Sequence, residues 1–161
     1  MKTIIVGIGN PILGDDGIGI HVVRTLKKQL TKDSSLSIEE AYTGGMNLLD
    51  LLKGYERAIL IDAVSFSQMN PGIVKQYALD SFQTIHANNP HDVSFPEALR
   101  LAETLGDKQL PKDIVIIGVN VPYLCNEFSE SLSPKIQQSI PEAVNLVKTI
   151  LVANKKTKRN N

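Results

Sequence analysis

The sequence predicts an α/β fold in three layers: a mostly parallel, twisted sheet of about five strands, helices on both faces, and one antiparallel edge strand. Three observations lead there. Apolar runs at residues 3–9, 57–64 and 113–120 show little of the polar alternation of a half-exposed strand, as expected of parallel strands covered on both faces. Segments of helical period lie between them, so strands and helices alternate along the chain. With 161 residues and no internal repeat, the chain suits one domain with a sizeable core, expected over residues 1–153, followed by a flexible basic tail at 154–161.

The first element, Thr3-Ile4-Ile5-Val6-Gly7-Ile8-Gly9, reads as a buried strand. A glycine-rich turn follows, and Ile18, Val22, Leu26 and Leu30 then recur every fourth residue, which predicts an amphipathic helix from Gly17 to Leu30 with basic residues suiting its last turn. A polar loop at residues 31–35 leads to a short strand at 36–41. Thr43 precedes a small helix carrying Met46, Leu48, Leu49, Leu51 and Leu52. Arg57 to Val64 is the central strand and carries a single carboxylate, Asp62, near its end. After the turn Asn70-Pro71-Gly72, residues 73–79 form a further strand, and the short connection makes it an antiparallel edge strand.

Residues 81–92 are a polar loop holding His86 and His91. Ser94 and Glu97 have the spacing of a capping box for a helix whose buried stripe is Ala98, Leu101, Ala102 and Leu105. Asp113 to Asn120 is the last strand. Ser133 and Pro134 then supply the cap and first turn of a final helix with Ile136, Ile140, Val144, Val147 and Leu151 inward, and Pro141 predicts a kink or break in it.

Composition narrows the function. Seventeen basic side chains balance seventeen acidic ones, and no basic stripe with interleaved aromatics suggests nucleic-acid binding. The single cysteine, Cys125, forms no internal disulfide and cannot by itself build a thiolate cage, which fits a reducing compartment. No leader or membrane-length apolar segment is evident, so the expectation is a cytoplasmic protein without membrane insertion.

The turn after the first strand carries the chemistry. A dinucleotide fingerprint needs a third glycine where this chain has Ile12, and Asp15 and Asp16 sit where a phosphate would demand neutral or basic groups. Carboxylates at a strand's carboxyl end suit a cation instead. Each acid has an ordinary explanation as well: Asp16 near a helix start gains about 0.3–1 kcal/mol from the dipole, and Asp62 suits a turn cap. In a parallel sheet, however, loops after successive strands converge on one edge, so Asp16, Asp62 and His91 can meet there as an open divalent site. Ligand type alone does not name the metal. His86 rivals His91 in the same loop, while His21, among Val22 and Val23, reads as a packing or surface residue. No zinc-protease helix, serine elbow or P-loop lysine is present.

Gly7-Ile8-Gly9-Asn10 with Asp15-Asp16-Gly17-Ile18-Gly19, Thr43-Gly44-Gly45-Met46, Leu60-Ile61-Asp62-Ala63, Pro90-His91, Ile117-Gly118-Val119 and Leu132-Ser133-Pro134 together resemble the [NiFe]-hydrogenase maturation proteases, in family order across nearly the whole chain. The resemblance implies an endopeptidase that trims the C-terminus of the hydrogenase large-subunit precursor after nickel insertion. Asp16, Asp62 and His91 would contact the nickel and serve as the catalytic set. Gly9, Asn10, Asp15, Thr43, Gly44 and Gly45 would contact substrate. No cofactor is bound permanently; nickel arrives with the substrate, and other divalent ions can occupy the site. Members carry Asp or Glu at the first ligand position, and this chain has the shorter Asp16; Ala41-Tyr42 before Thr43, and Val121 to Cys125, depart from the pattern. The expected state is a monomer. The alternative is a non-catalytic nickel-sensing chaperone of the same precursor.

Overall fold

Every residue of β1 (Thr3–Ile8) and β3 (Arg57–Val64) is buried, as their apolar runs require. The computed structural model describes residues 1–30, 33–42, 45–79, 94–122 and 128–157, with side chains described through residue 153. β2 (Leu36–Ala41), β4 (Val74–Tyr77) and β5 (Asp113–Asn120) complete a sheet of order β2-β1-β3-β5-β4. All neighbours are parallel except β4 with β5. The expected antiparallel edge strand is therefore present, but its partner is β5. A short connection from β3 suggested a direct return; instead β5 comes between them, because the central position goes to the more apolar strand.

Side chains alternate across the sheet and build a core on each face. Ile59, Ile61 and Ala63 pack with α1 (Ile18–Gln29) and the last helix, while Ala58, Leu60 and Val64 pack with α2 (Met46–Leu52) and α3 (Phe95–Thr104). Asp62 falls in the second set by this alternation. The capping box of α3 forms as the spacing predicts, with Ser94 Oγ accepting from the Glu97 N–H and the Ser94 N–H donating to the Glu97 carboxylate at 3.0 Å. Its buried stripe differs from expectation. Phe95, Ala98, Leu99 and Ala102 face the sheet, whereas Leu101 and Leu105 are exposed, Leu105 at 77%. Leu101 lies about 100° of helix rotation from Ala102, and Leu105 is the C-cap, past the last residue of α3.

The predicted interruption near Pro141 is a full break: α4 (Pro134–Gln137) stops, and α5 (Ile140–Thr157) begins one residue before the proline. Proline fits a first helical turn, where its missing N–H costs nothing. α5 reaches Thr157, past the start of the expected tail.

Candidate active site

The turn after β1 is a 3₁₀ turn at Gly14–Gly17, packed against α1 and β3. Its glycines explain themselves by contact. Gly9 has φ 141°, a conformation L side chains avoid, and a Cβ there would run into the Asp16 carbonyl oxygen. A Cβ on Gly19 would run into the carbonyl oxygens of both Ile8 and Ile61. The start of α1 thus rests directly on the carboxyl ends of β1 and β3. That seating brings the Asp16 turn alongside the strand end that carries Asp62.

Both carboxylates are buried, Asp16 to 2% and Asp62 to 0% exposure. A main-chain amide steers each one: the Asn10 N–H donates to Asp16 Oδ2 at 2.6 Å, and the Ala63 N–H donates to Asp62 Oδ1 at 2.8 Å. Asn10 also receives the Ile12 N–H on its side-chain oxygen at 3.2 Å, an Asx turn that shapes the loop.

Asp15, the other acid of the turn, is tied to the residue that precedes α4. Its carboxylate accepts the Ser133 N–H at 2.7 Å and the Ser133 hydroxyl at 2.9 Å. Ser133 in turn makes no side-chain cap to α4, the role its sequence position predicted. Gly45, with φ 62°, precedes α2. His91, His86, Thr43, Gly44 and Cys125 lie outside the described residues. Among the described residues no three metal-capable side chains gather; of the expected ligand set, only Asp16 and Asp62 lie among the described residues.

Reading the sequence missed two supports of this edge. Asn120, at the end of β5, is buried and binds the loop that follows β3: its Oδ1 accepts the Phe66 N–H at 2.8 Å and its Nδ2 donates to the Met69 carbonyl at 2.6 Å. A lone amide closing an apolar run was the available signal. Beside β1, Glu40 is held by Arg24 at 2.9 Å and by the Tyr42 hydroxyl at 2.7 Å, and Arg24 pulls its carboxyl below the usual range. His21, on the same helix as Arg24, has its Nε2 buried without a hydrogen-bond partner among the described residues. Burial first, then Arg24, lowers its pKa, against an opposing pull from Glu40.

Apolar side chains stand exposed around this edge. Leu13 bridges Ser129 in parallel, which sets Ile12 opposite Phe128, and these are 44% and 83% exposed. Tyr42 and Met46, after β2, are exposed too.

The sequence profile of the hydrogenase maturation proteases matches residues 20–150. The chain belongs to this family. Among relatives, the hydrogenase expression/formation protein HupD of Thiocapsa roseopersicina is 30% identical over 90% of this chain, which spans 65% of that protein's length. The hydrogenase 2 maturation protease of Escherichia coli is 26% identical over 84% of this chain and 78% of its own. The solved structure of the E. coli hydrogenase maturating endopeptidase HybD superposes with a TM-score of 0.78 at 24% identity, covering 96% of this chain and 94% of that one. This last likeness establishes the architecture: a mixed, mostly parallel sheet with one antiparallel edge strand. Membership makes this chain one of a family of peptidases that act in hydrogenase maturation. No helix among the described residues is long and apolar enough to cross a membrane.

Proposed function

We propose that this maturation protease is the cytoplasmic, monomeric endopeptidase that removes the C-terminal extension of a [NiFe]-hydrogenase large-subunit precursor once nickel has been inserted. The observation that carries this reading is the pair of buried carboxylates, Asp16 and Asp62, on adjoining strand ends, each oriented by a backbone amide. Hard oxygen donors with a fixed orientation suit a divalent ion presented by another protein. His91 would complete the set. It precedes Ser94, the cap of α3, by three residues, a reach of at most about 11 Å in extended chain.

In this mechanism the nickel belongs to the substrate. Asp16, Asp62 and His91 grip it, and that grip fixes the neighbouring peptide bond in one orientation, the main source of rate in a positioned reaction. An empty precursor offers nothing to grip, so cleavage waits for assembly. The exposed Ile12, Tyr42, Met46 and Phe128 supply apolar surface for a polypeptide substrate around the acidic edge.

The test incubates purified protein with nickel-loaded and nickel-free precursor and follows the mass of the large subunit. Shortening of the loaded form alone is expected. Equal cleavage of both would defeat metal gating, and tight binding without any shortening would establish the chaperone alternative. His91→Ala should abolish processing with the circular-dichroism spectrum unchanged. Loss at His86→Ala instead would move the third ligand.

A further inference from the structure

We propose that Asp15 is a positioning residue for Asp16, acting through Ser133, and makes no contact with substrate. The proposal rests on the site reading above. Consecutive side chains in a 3₁₀ turn point about 120° apart, so fixing one fixes the direction of the next. Asp15 and Asp16 share the four-residue turn Gly14–Gly17. With Asp15 aimed at Ser133, the carboxylate of Asp16 is directed toward the end of β1, where the Asn10 N–H meets it at 2.6 Å.

The anchor is a strong one of its kind. Both Asp15 oxygens are engaged by Ser133, through an N–H at 2.7 Å and an O–H at 2.9 Å, and hydrogen bonds to a carboxylate are about twice as strong as neutral ones. A second contact runs alongside: the Gly14 N–H donates to the Ser129 carbonyl at 2.7 Å, and the Ser129 N–H donates to the Ile12 carbonyl at 2.9 Å. The segment from Ser129 to Ser133 therefore lies as a strap along the acidic turn. Ser133 is at the cap position of α4 yet makes no side-chain cap there; its hydroxyl serves Asp15. A serine placed only to start a helix would have turned the other way.

The test compares Asp15→Asn, Ser133→Ala, Ser133→Thr and the double variant Asp15→Asn/Ser133→Ala with wild type on nickel-loaded precursor, and measures Ni²⁺ binding to each protein by calorimetry. Outer partners of metal-contacting groups change affinity or rate by about 10–100-fold when removed, so Asp15→Asn should lower kcat/KM by about that factor and weaken Ni²⁺ binding similarly. Ser133→Ala, which retains the N–H donor, should act in the same direction but less. Ser133→Thr should recover wild-type values. The double variant should be no worse than Asp15→Asn, since both changes break one unit. A raised KM with Ni²⁺ affinity and kcat unchanged would show that Asp15 touches substrate and overturn the proposal. A lower melting temperature with kcat and Ni²⁺ affinity intact would reduce the contact to a brace and overturn it too. If Asp15→Asn does not fold, Ser133→Ala and Ser133→Thr decide. Cleavage of nickel-free precursor by wild type would defeat metal gating alone; the Ni²⁺ affinities would still judge Asp15.

Discussion

Gly19→Ala sets two known effects against each other. Gly19 lies within α1, and on helix propensity alone alanine should stabilise the protein by up to about 1 kcal/mol. The structure reverses the sign. The added methyl would press into the carbonyl oxygens of Ile8 and Ile61 and stand 2.9 Å from the Ile8 nitrogen. These are backbone atoms of two central strands, so no flexible side chain can yield. Overpacking costs about 1–3 kcal/mol, and a rigid neighbour places this site at the upper end, leaving a net loss of about 2 kcal/mol. For a chain of this size that lowers Tm by about 4–8 °C. Thermal melts and urea titrations followed by circular dichroism measure it, the midpoint falling while the slope stays constant. Because α1 must lift from the strand ends, Asp16 should also draw away from Asp62, and cleavage should fall at temperatures where the variant is fully folded. A Tm equal to or above that of wild type would refute the seating of α1 on β1 and β3.

Other outcomes follow from single contacts. Asn120→Ala removes the bonds to Phe66 and Met69 and leaves a main-chain N–H without its acceptor; a loss of about 2–3 kcal/mol is expected in urea unfolding, and a loss below about 0.5 kcal/mol would show the loop after β3 is held by other means. Ser94→Ala breaks the capping box and should cost about 0.5–2 kcal/mol, while Glu97, whose carboxyl is held low chiefly by Ser94, should titrate nearer its ordinary value by NMR. For His21 the folded-state pKa lies below 6.5, so the unfolded chain takes up the proton first and stability falls as pH drops through and below 6.5. Stability measured from pH 8 to 5.5 should show that decline, and His21→Asn should flatten it; an identical slope in the variant would place the titrating group elsewhere.

The strands at Arg57–Val64 and Asp113–Asn120 were legible to the residue because a strand covered on both faces has an apolar sequence that nothing else in so short a run explains. The Ser94 box was legible because its bonds are local, between residues three apart. Leu101 misled because two neighbouring stripes of α3 are both apolar and only the sheet beneath chooses between them, and Leu105 because the helix stops at Thr104 before that leucine can turn inward. The anchor of Asp15 was not legible for a related reason: its partner, Ser133, lies 118 residues away. Sequence shows that a group is polar and where it stands in a turn, but not what the chain folds against it.

What the sequence by itself determined is the alternation of buried strands with amphipathic helices, and with it the edge to which Asp16 and Asp62 belong, since local period and strand order in an α/β chain leave few arrangements. Tertiary structure decided the rest: that β5 lies between β3 and β4, that α1 sits directly on two strand ends at Gly19, and that one acid of the Asp15-Asp16 pair turns to Ser133 while the other turns to the end of β1. Those are contacts between residues far apart in the chain, and their energies exist only once the backbone has brought them within reach.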